Sequence, residues 1–175
     1  ACLLATSLIE PLVILHKAGV THGLINLNNV WWDGRGRFIL GPISHTTTGQ
    51  ETIYKTIALT QCMEYGGDFD NMMVDSYALG MTIFLAFTGA SIHEDDTSKI
   101  LEGKIRMGSY NWLMQHVETI PTELSLLMQT LLTDKKERAL ALSYIMHCIQ
   151  KGDYSALLQK HGGEQKKHLK HKKRT

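Results

Sequence analysis

Residues 74–88 constrain the fold more strongly than any other part of the chain. Their sequence, VDSYALGMTIFLAFT, is apolar on nearly every side of a helix, which predicts a helix that is buried all round. The segment is shorter than the roughly 20 apolar residues that are needed to span a bilayer. A helix of this kind needs neighbours on each of its faces, so the sequence predicts a protein in which other helices pack around it.

Three other stretches have the periodicity of helices. Leucines recur on one helical stripe of the opening segment, at Leu4, Leu8, Leu12 and Leu15. Pro11 interrupts this stripe, and we expect the helix to kink there or to be best formed after it. The stretch PTELSLLMQTLL predicts a helix that Thr122 caps, and RALALSYIMHCIQKG predicts a helix that ends at Gly152.

A small β-hairpin is predicted after the opening helix. Short apolar runs on either side of Asp33 and Gly34 are typical of two strands joined by a tight turn. Trp31 and Trp32 are adjacent in the first run, so we expect one of them to lie in the core and the other outside it. The predicted fold class is therefore mainly α with a small β-hairpin region.

Composition and charge exclude several classes of protein. Of the 175 residues, 43% are hydrophobic and 20% are charged, which is typical of a folded domain and not of a disordered or fibrous chain. Three scattered cysteines predict neither a disulfide framework nor a zinc site. Residues 153–175 end in a basic run, which predicts a solvated, disordered tail. Contact with an acidic partner or an anionic membrane stays open, and the lack of interleaved aromatic residues disfavours nucleic acid.

The segment THGLINLNNVWWDGRGRFILGPIS resembles the catalytic loop and metal-binding turn of the eukaryotic protein kinases. In that family the motif H-R-D-x-K-x-x-N is followed by a hairpin and then by D-F-G. Here His22 stands at the His position, Asn29 stands at the Asn position, and residues 42–44 stand at the D-F-G position.

Three later motifs extend the resemblance in the expected order. Asp75 begins a match to the buried-helix motif, Glu64 matches the acidic residue of A-P-E, and Arg138 lies in a match to the motif whose arginine pairs with it. The resemblance implies that residues 1–152 form a kinase-like C-terminal lobe, a fragment whose N-terminal lobe is missing from this chain. It also implies that His22 and Asp75 anchor the loop to the buried helix and that Glu64 pairs with Arg138.

The residues that perform phosphoryl transfer in that family are replaced here. Leu24 stands in place of the catalytic base, Asn26 in place of the loop lysine, and Pro42 in place of the aspartate that binds magnesium. A general base alone contributes about 10²–10⁴ in rate. Of the matched polar residues only Asn29 is a possible cofactor ligand, so the resemblance implies a pseudokinase with no catalytic residues, no metal site and no cofactor.

Several alternatives stay open from the sequence alone. An unrelated α-rich domain is one, and another is a divergent ATP-dependent protein kinase whose catalytic residues have moved, which would use ATP and magnesium. A pseudokinase implies a protein partner, such as an active kinase or a host protein. The His22-Gly23 pair and the hairpin before Gly41 also resemble the rhoptry kinases and pseudokinases of apicomplexan parasites, which implies a secretory organelle and then secretion; without that resemblance the expectation is a cytoplasmic protein.

Overall fold

The computed structural model describes residues 2–43, 71–88, 120–132 and 140–157. In these ranges the protein is mainly helical and has one small two-stranded antiparallel sheet. The predicted combination of helices with a β-hairpin is therefore confirmed. The elements in chain order are α1 (Cys2–Lys17), a 3-10 helix (Leu27–Asn29), β1 (Val30–Trp32), β2 (Phe38–Leu40), α2 (Asn71–Thr88), α3 (Thr122–Leu131) and α4 (Leu142–Lys151).

Helix α1 packs its leucine stripe against the rest of the core. Leu4, Leu8 and Leu12 are buried, and Leu15 is partly buried against the same cluster. The helix runs through Pro11 without a break and is not confined to the residues after it. Burial of Leu4 and Leu8 holds the first half in place, because packing of an apolar face contributes more to helix stability than local propensity does.

Helix α2 is the buried helix that the sequence predicted. Its residues from Tyr77 to Leu85 are all buried, and it contacts both α1 and α3. Gly80 lies at the contact with α3, where an added Cβ would come within 2.9 Å of the Leu131 Cβ and 2.9 Å of Leu132 Cδ2. A glycine at this position therefore lets the two helices approach closely.

This contact predicts the effect of replacing Gly80 with alanine. The added methyl group overpacks the α2–α3 contact, which costs about 1–3 kcal/mol. Better helix propensity returns no more than about 1 kcal/mol. We therefore expect Gly80→Ala to lower the free energy of unfolding in a urea titration. An unchanged or higher free energy of unfolding would mean that α2 and α3 do not approach as described.

The ends of α3 and α4 differ in how well they match the sequence predictions. Thr122 is the first residue of α3 and not its cap, because Pro121 holds the N-cap position and no side chain accepts a hydrogen bond there. Gly152 ends α4 as predicted, with a φ of +67° and its N–H donating to the Ile149 carbonyl at 3.0 Å. Leu157 is fully buried, so packed residues extend past the predicted boundary at 152.

The two strands of the hairpin lie where the sequence placed them, but residues 33–37 join them and not a two-residue Asp33-Gly34 turn, because the Asp33 N–H still donates to the Arg37 carbonyl at 3.0 Å. Residues pair in register, as Val30↔Leu40, Trp31↔Ile39 and Trp32↔Phe38. Trp31 is 62% exposed and Trp32 is 54% exposed, so the expectation that one tryptophan lies in the core is wrong. Trp32 lies on the same face of the hairpin as strand residues that contact the core, but at the end of the strand next to the turn. Its indole packs edge-on against the Phe38 ring, with 5.0 Å between the ring centroids.

The described helices also bear on membrane topology. None of those within the described ranges is long and apolar enough to cross a membrane.

Candidate functional site

A buried carboxylate in α2 organises the segment between α1 and the hairpin. Asp75 is 1% exposed, and its Oδ2 accepts the His22 backbone N–H at 2.7 Å. Its Oδ1 accepts the Gly23 backbone N–H at 2.9 Å. The His16 Nε2 lies 3.0 Å from the same Oδ2. A buried carboxylate is costly unless it is hydrogen-bonded, and here both of its oxygens are satisfied. The structure thus brings together the predicted residues His22 and Asp75.

His22 links this carboxylate to the turn after the hairpin. Its ring is buried, and Nε2 lies 2.9 Å from the Gly41 carbonyl oxygen. A carbonyl only accepts, so Nε2 carries the hydrogen of this contact. The other ring nitrogen, Nδ1, accepts the Leu24 backbone N–H at 3.2 Å. An imidazole with its hydrogen on Nε2 makes both contacts at once. The ring thereby connects the backbone at Leu24 with the backbone at Gly41.

Asn29 joins the loop to the same turn from the other side. Its Nδ2 donates to the Leu24 carbonyl at 3.0 Å and to the Pro42 carbonyl at 3.3 Å. Its backbone carbonyl accepts the Gly41 N–H at 2.8 Å. A Cβ on Gly41 would collide with the Asn29 carboxamide, so position 41 takes glycine as long as asparagine stands at position 29. Both amide hydrogens of Asn29 are therefore used to hold backbone carbonyls.

The three positions that the resemblance matches to catalytic residues bring no ionisable group to this place. Leu24 is half-buried and apolar, and Pro42 is exposed. Asn26 is buried and caps the 3-10 helix, with its Oδ1 accepting the Asn28 backbone N–H at 2.9 Å. Asp33 is the only acidic residue between positions 21 and 43. Among residues 21–43, the base nearest to the loop is thus the His22 imidazole, whose two nitrogens are both in hydrogen bonds with the backbone.

Asp33 is held at the far tip of the hairpin. Its carboxylate accepts the backbone N–H groups of Arg37 and Arg35, at 3.0 and 2.7 Å. These hydrogen bonds hold the pKa of Asp33 below its usual value, because they favour the ionised form. Asp33 therefore organises the tip and contributes nothing to the loop around His22.

Two predicted residues, Glu64 and Arg138, lie outside the described residues, as does Ser44. Their pairing stays a prediction. His16 also belongs to the site but was not identified from the sequence, and Gly41 was noted there only as the residue after the hairpin. The signal for His16 was a titratable residue in the last turn of a helix that packs against the core. The signal for Gly41 was weaker, because nothing local requires glycine there.

Two cavities flank the site. One has a volume of about 520 Å³ and is mostly apolar; its lining includes Ile14, Leu15, His22, Leu40, Pro42 and Ile43. The other, of about 410 Å³, lies between the end of α1, the start of α2 and the start of α4, and its lining includes His16, Lys17 and Ser76. Within the described ranges, no three His, Cys, Asp or Glu side chains are grouped so that they could hold a metal ion.

A search against models of known protein families finds no match to this chain, and a search of curated proteins finds no significant relative. The function is therefore inferred from the residues and their geometry.

Proposed function

We propose that this chain is the C-terminal lobe of a pseudokinase, a kinase-like protein that acts by binding a protein partner and not by phosphoryl transfer. One observation carries the proposal. The Asp75 carboxylate binds the backbone N–H groups of His22 and Gly23, and the Asn29 amide binds the backbone carbonyls of Leu24 and Pro42. The backbone of the loop and the turn is thus held in place, although neither Leu24 nor Pro42 has a catalytic side chain. Order and spacing of the sequence motifs give the same assignment.

The residues nearest to the loop do not fit the chemistry of phosphoryl transfer. That reaction relies on positioned metal ions and on a base beside the attacking hydroxyl. Asp75 is the nearest carboxylate among the residues that hold the loop, but both its oxygens accept backbone N–H groups. Its use as a base or a metal ligand would release His22 and Gly23. We therefore assign it a structural role.

Asn29 does not compensate for the missing metal carboxylate. Magnesium prefers charged carboxylate oxygens in a nearly octahedral arrangement. The Asn29 amide is neutral, its oxygen lies against Gly41, and the position of the expected aspartate is taken by Pro42. The residues at the site therefore do not fit a magnesium-nucleotide complex, and we derive no step through one.

A thermal-shift titration with ATP and magnesium tests this proposal. A ligand at 100 times its dissociation constant stabilises the native state by about 2.7 kcal/mol, which raises Tm by several degrees in a protein of this size. We expect no magnesium-dependent rise in Tm for the longest available form of the protein. ATP without metal and magnesium without ATP are the controls.

The same titration also tests the enzyme alternative. A rise in Tm that requires both ATP and magnesium would contradict the loss of the metal site. It would favour a divergent kinase in which residues from elsewhere supply the carboxylate and the base.

A further inference from the structure

The tip of the hairpin carries a surface that the buried network does not use. We infer that Trp32, Arg35 and Arg37 at this tip form a docking site for an acidic segment of a partner protein. The inference rests on the proposed function, since a chain without phosphotransfer chemistry acts through the surfaces that it presents. It adds the place on the molecule and the chemistry of the partner.

Charges at the tip are separated into an inner carboxylate and outer guanidinium groups. The Asp33 side chain is 9% exposed and is turned into the loop, where Oδ2 accepts from the Arg37 Nε at 3.1 Å. The Arg37 side chain is 76% exposed, and Arg35 is also exposed. The Arg35 guanidinium makes no hydrogen bond or ion pair with the described residues. The solvent-facing charge of the tip is therefore positive, because the one aspartate in it faces inward and the two arginines face outward.

The tip is also held in a fixed conformation. Gly34 and Gly36 have φ values of +73° and +98°, which side-chain-bearing residues rarely adopt, and they allow the chain to reverse tightly around Asp33. The Trp32 indole is ordered by its edge-to-face contact with Phe38. A partner that binds this surface loses less conformational entropy than it would on a flexible loop.

The residue types at the tip are those that bind proteins. Tryptophan and arginine are enriched in the energetically important parts of protein interfaces, whereas lysine is depleted. Residues 30–40 contain three aromatic residues and two arginines but no lysine. Arginine binds carboxylates through two parallel hydrogen bonds. An acidic segment with apolar side chains beside its carboxylates therefore complements this surface.

Other partners for a cationic aromatic surface are less well matched. Recognition of anionic membranes typically uses clusters of about four to eight basic residues. Binding to single-stranded nucleic acid uses a basic groove that follows the phosphate backbone. The tip has two arginines, and Asp33 partly neutralises one of them. A protein segment needs only a pair of carboxylates and a small apolar contact.

A binding titration tests the inference, with the full chain in which the six Lys and Arg residues of 164–175 are replaced by Gln so that the basic tail does not bind the probe. The probe is a fluorescein-labelled extended peptide of alternating Glu and Val residues, followed by fluorescence anisotropy. We expect saturable binding that weakens with added salt and is at least about tenfold weaker for the same peptide with Gln in place of Glu. Arg35→Gln should weaken binding about tenfold, because it removes one charge-assisted carboxylate contact.

Arg35→Gln is chosen because it leaves the tip intact. Asp33 holds the backbone N–H of residue 35, which the substitution retains. Lys151→Gln is the matched control, since it removes one exposed positive charge at the end of α4. We expect this control to bind the acidic peptide as the unaltered chain does.

Three results would overturn the inference. The first is equal binding by Arg35→Gln and the unaltered chain, and the second is an equal loss for Lys151→Gln. The third is that the acidic peptide does not bind, whereas oligo(dT) or phosphatidylserine vesicles bind to the unaltered chain and do not bind to Arg35→Gln. The outcome does not depend on the nucleotide titration, so failure of the tip and failure of the proposed function are distinguishable.

Discussion

Asp75→Ala should destabilise the protein by about 3–5 kcal/mol, which is a large part of the 5–15 kcal/mol that holds a typical domain folded. The carboxylate accepts the backbone N–H groups of His22 and Gly23 in the protein interior, and the His16 ring lies against it. Alanine leaves these donors buried without an acceptor. Hydrogen bonds to a charged group contribute about 1.5–3 kcal/mol each. A urea titration followed by circular dichroism measures the loss.

Hydrogen exchange separates this mechanism from a general loss of packing. We expect the His22 and Gly23 amides to lose protection in Asp75→Asn to a greater extent than amides within α2 do. Ser76→Ala is the matched control, because the Ser76 hydroxyl donates to the Met72 carbonyl one turn earlier in the same helix. Its cost should be below about 1 kcal/mol. Equal destabilisation by Asp75→Ala and Ser76→Ala would rule out a central role for the carboxylate.

Gly41→Ala should destabilise the protein by about 2–3 kcal/mol. The new methyl group meets the Asn29 carboxamide, which is held by the Leu24 and Pro42 carbonyls and has little room to move. Overpacking in such a place costs about 1–3 kcal/mol, and each hydrogen bond lost adds about 0.5–1.5 kcal/mol. In an Asn29→Ala background the obstacle is absent. The cost of Gly41→Ala should then fall by at least about 1 kcal/mol, measured as a double-mutant cycle.

Gly34 provides the control for this cycle. It has a positive φ, so Gly34→Ala is also destabilising, but a Cβ at this position meets no atom within 4 Å. We expect its effect to add to that of Asn29→Ala within about 0.5 kcal/mol, since the two residues share no contact. Additive behaviour of the Gly41 and Asn29 substitutions would show that the two residues do not interlock.

The elements of the fold were predictable because each has a local cause. Apolar residues on every side of 74–88 required a buried helix, and the Asp33-Gly34 pair required a turn. Thr122 failed as a cap because the chain before α3 places Pro121 at that position instead. The exposure of Trp32 was not predictable from alternation alone, since it depends on how far the core extends beneath the strand.

The site was predictable only in part, for a related reason. Spacing identified His22, Asn29 and Asp75, but not which atoms they bind. The contact between the His22 backbone and Asp75 spans 53 residues of sequence. Asn29 was matched to a cofactor ligand through its position in the motif, which did not reveal that its two amide hydrogens donate to carbonyls of the loop and the turn. The hydrogen-bond partners of these side chains depend on how α1, α2 and the hairpin pack together. A short sequence motif does not specify that packing.

The contacts that hold the loop and the turn have a consequence for mutational tolerance. Asp75, His22 and Asn29 bind backbone atoms of Gly23, Leu24, Gly41 and Pro42. A substitution at position 24 or 42 changes a side chain but leaves the bonded carbonyl in place. The backbone conformation of the loop and the turn therefore does not depend on which side chains stand at positions 24 and 42. We therefore expect single substitutions at positions 24 and 42 to leave the backbone of the loop and the turn in place.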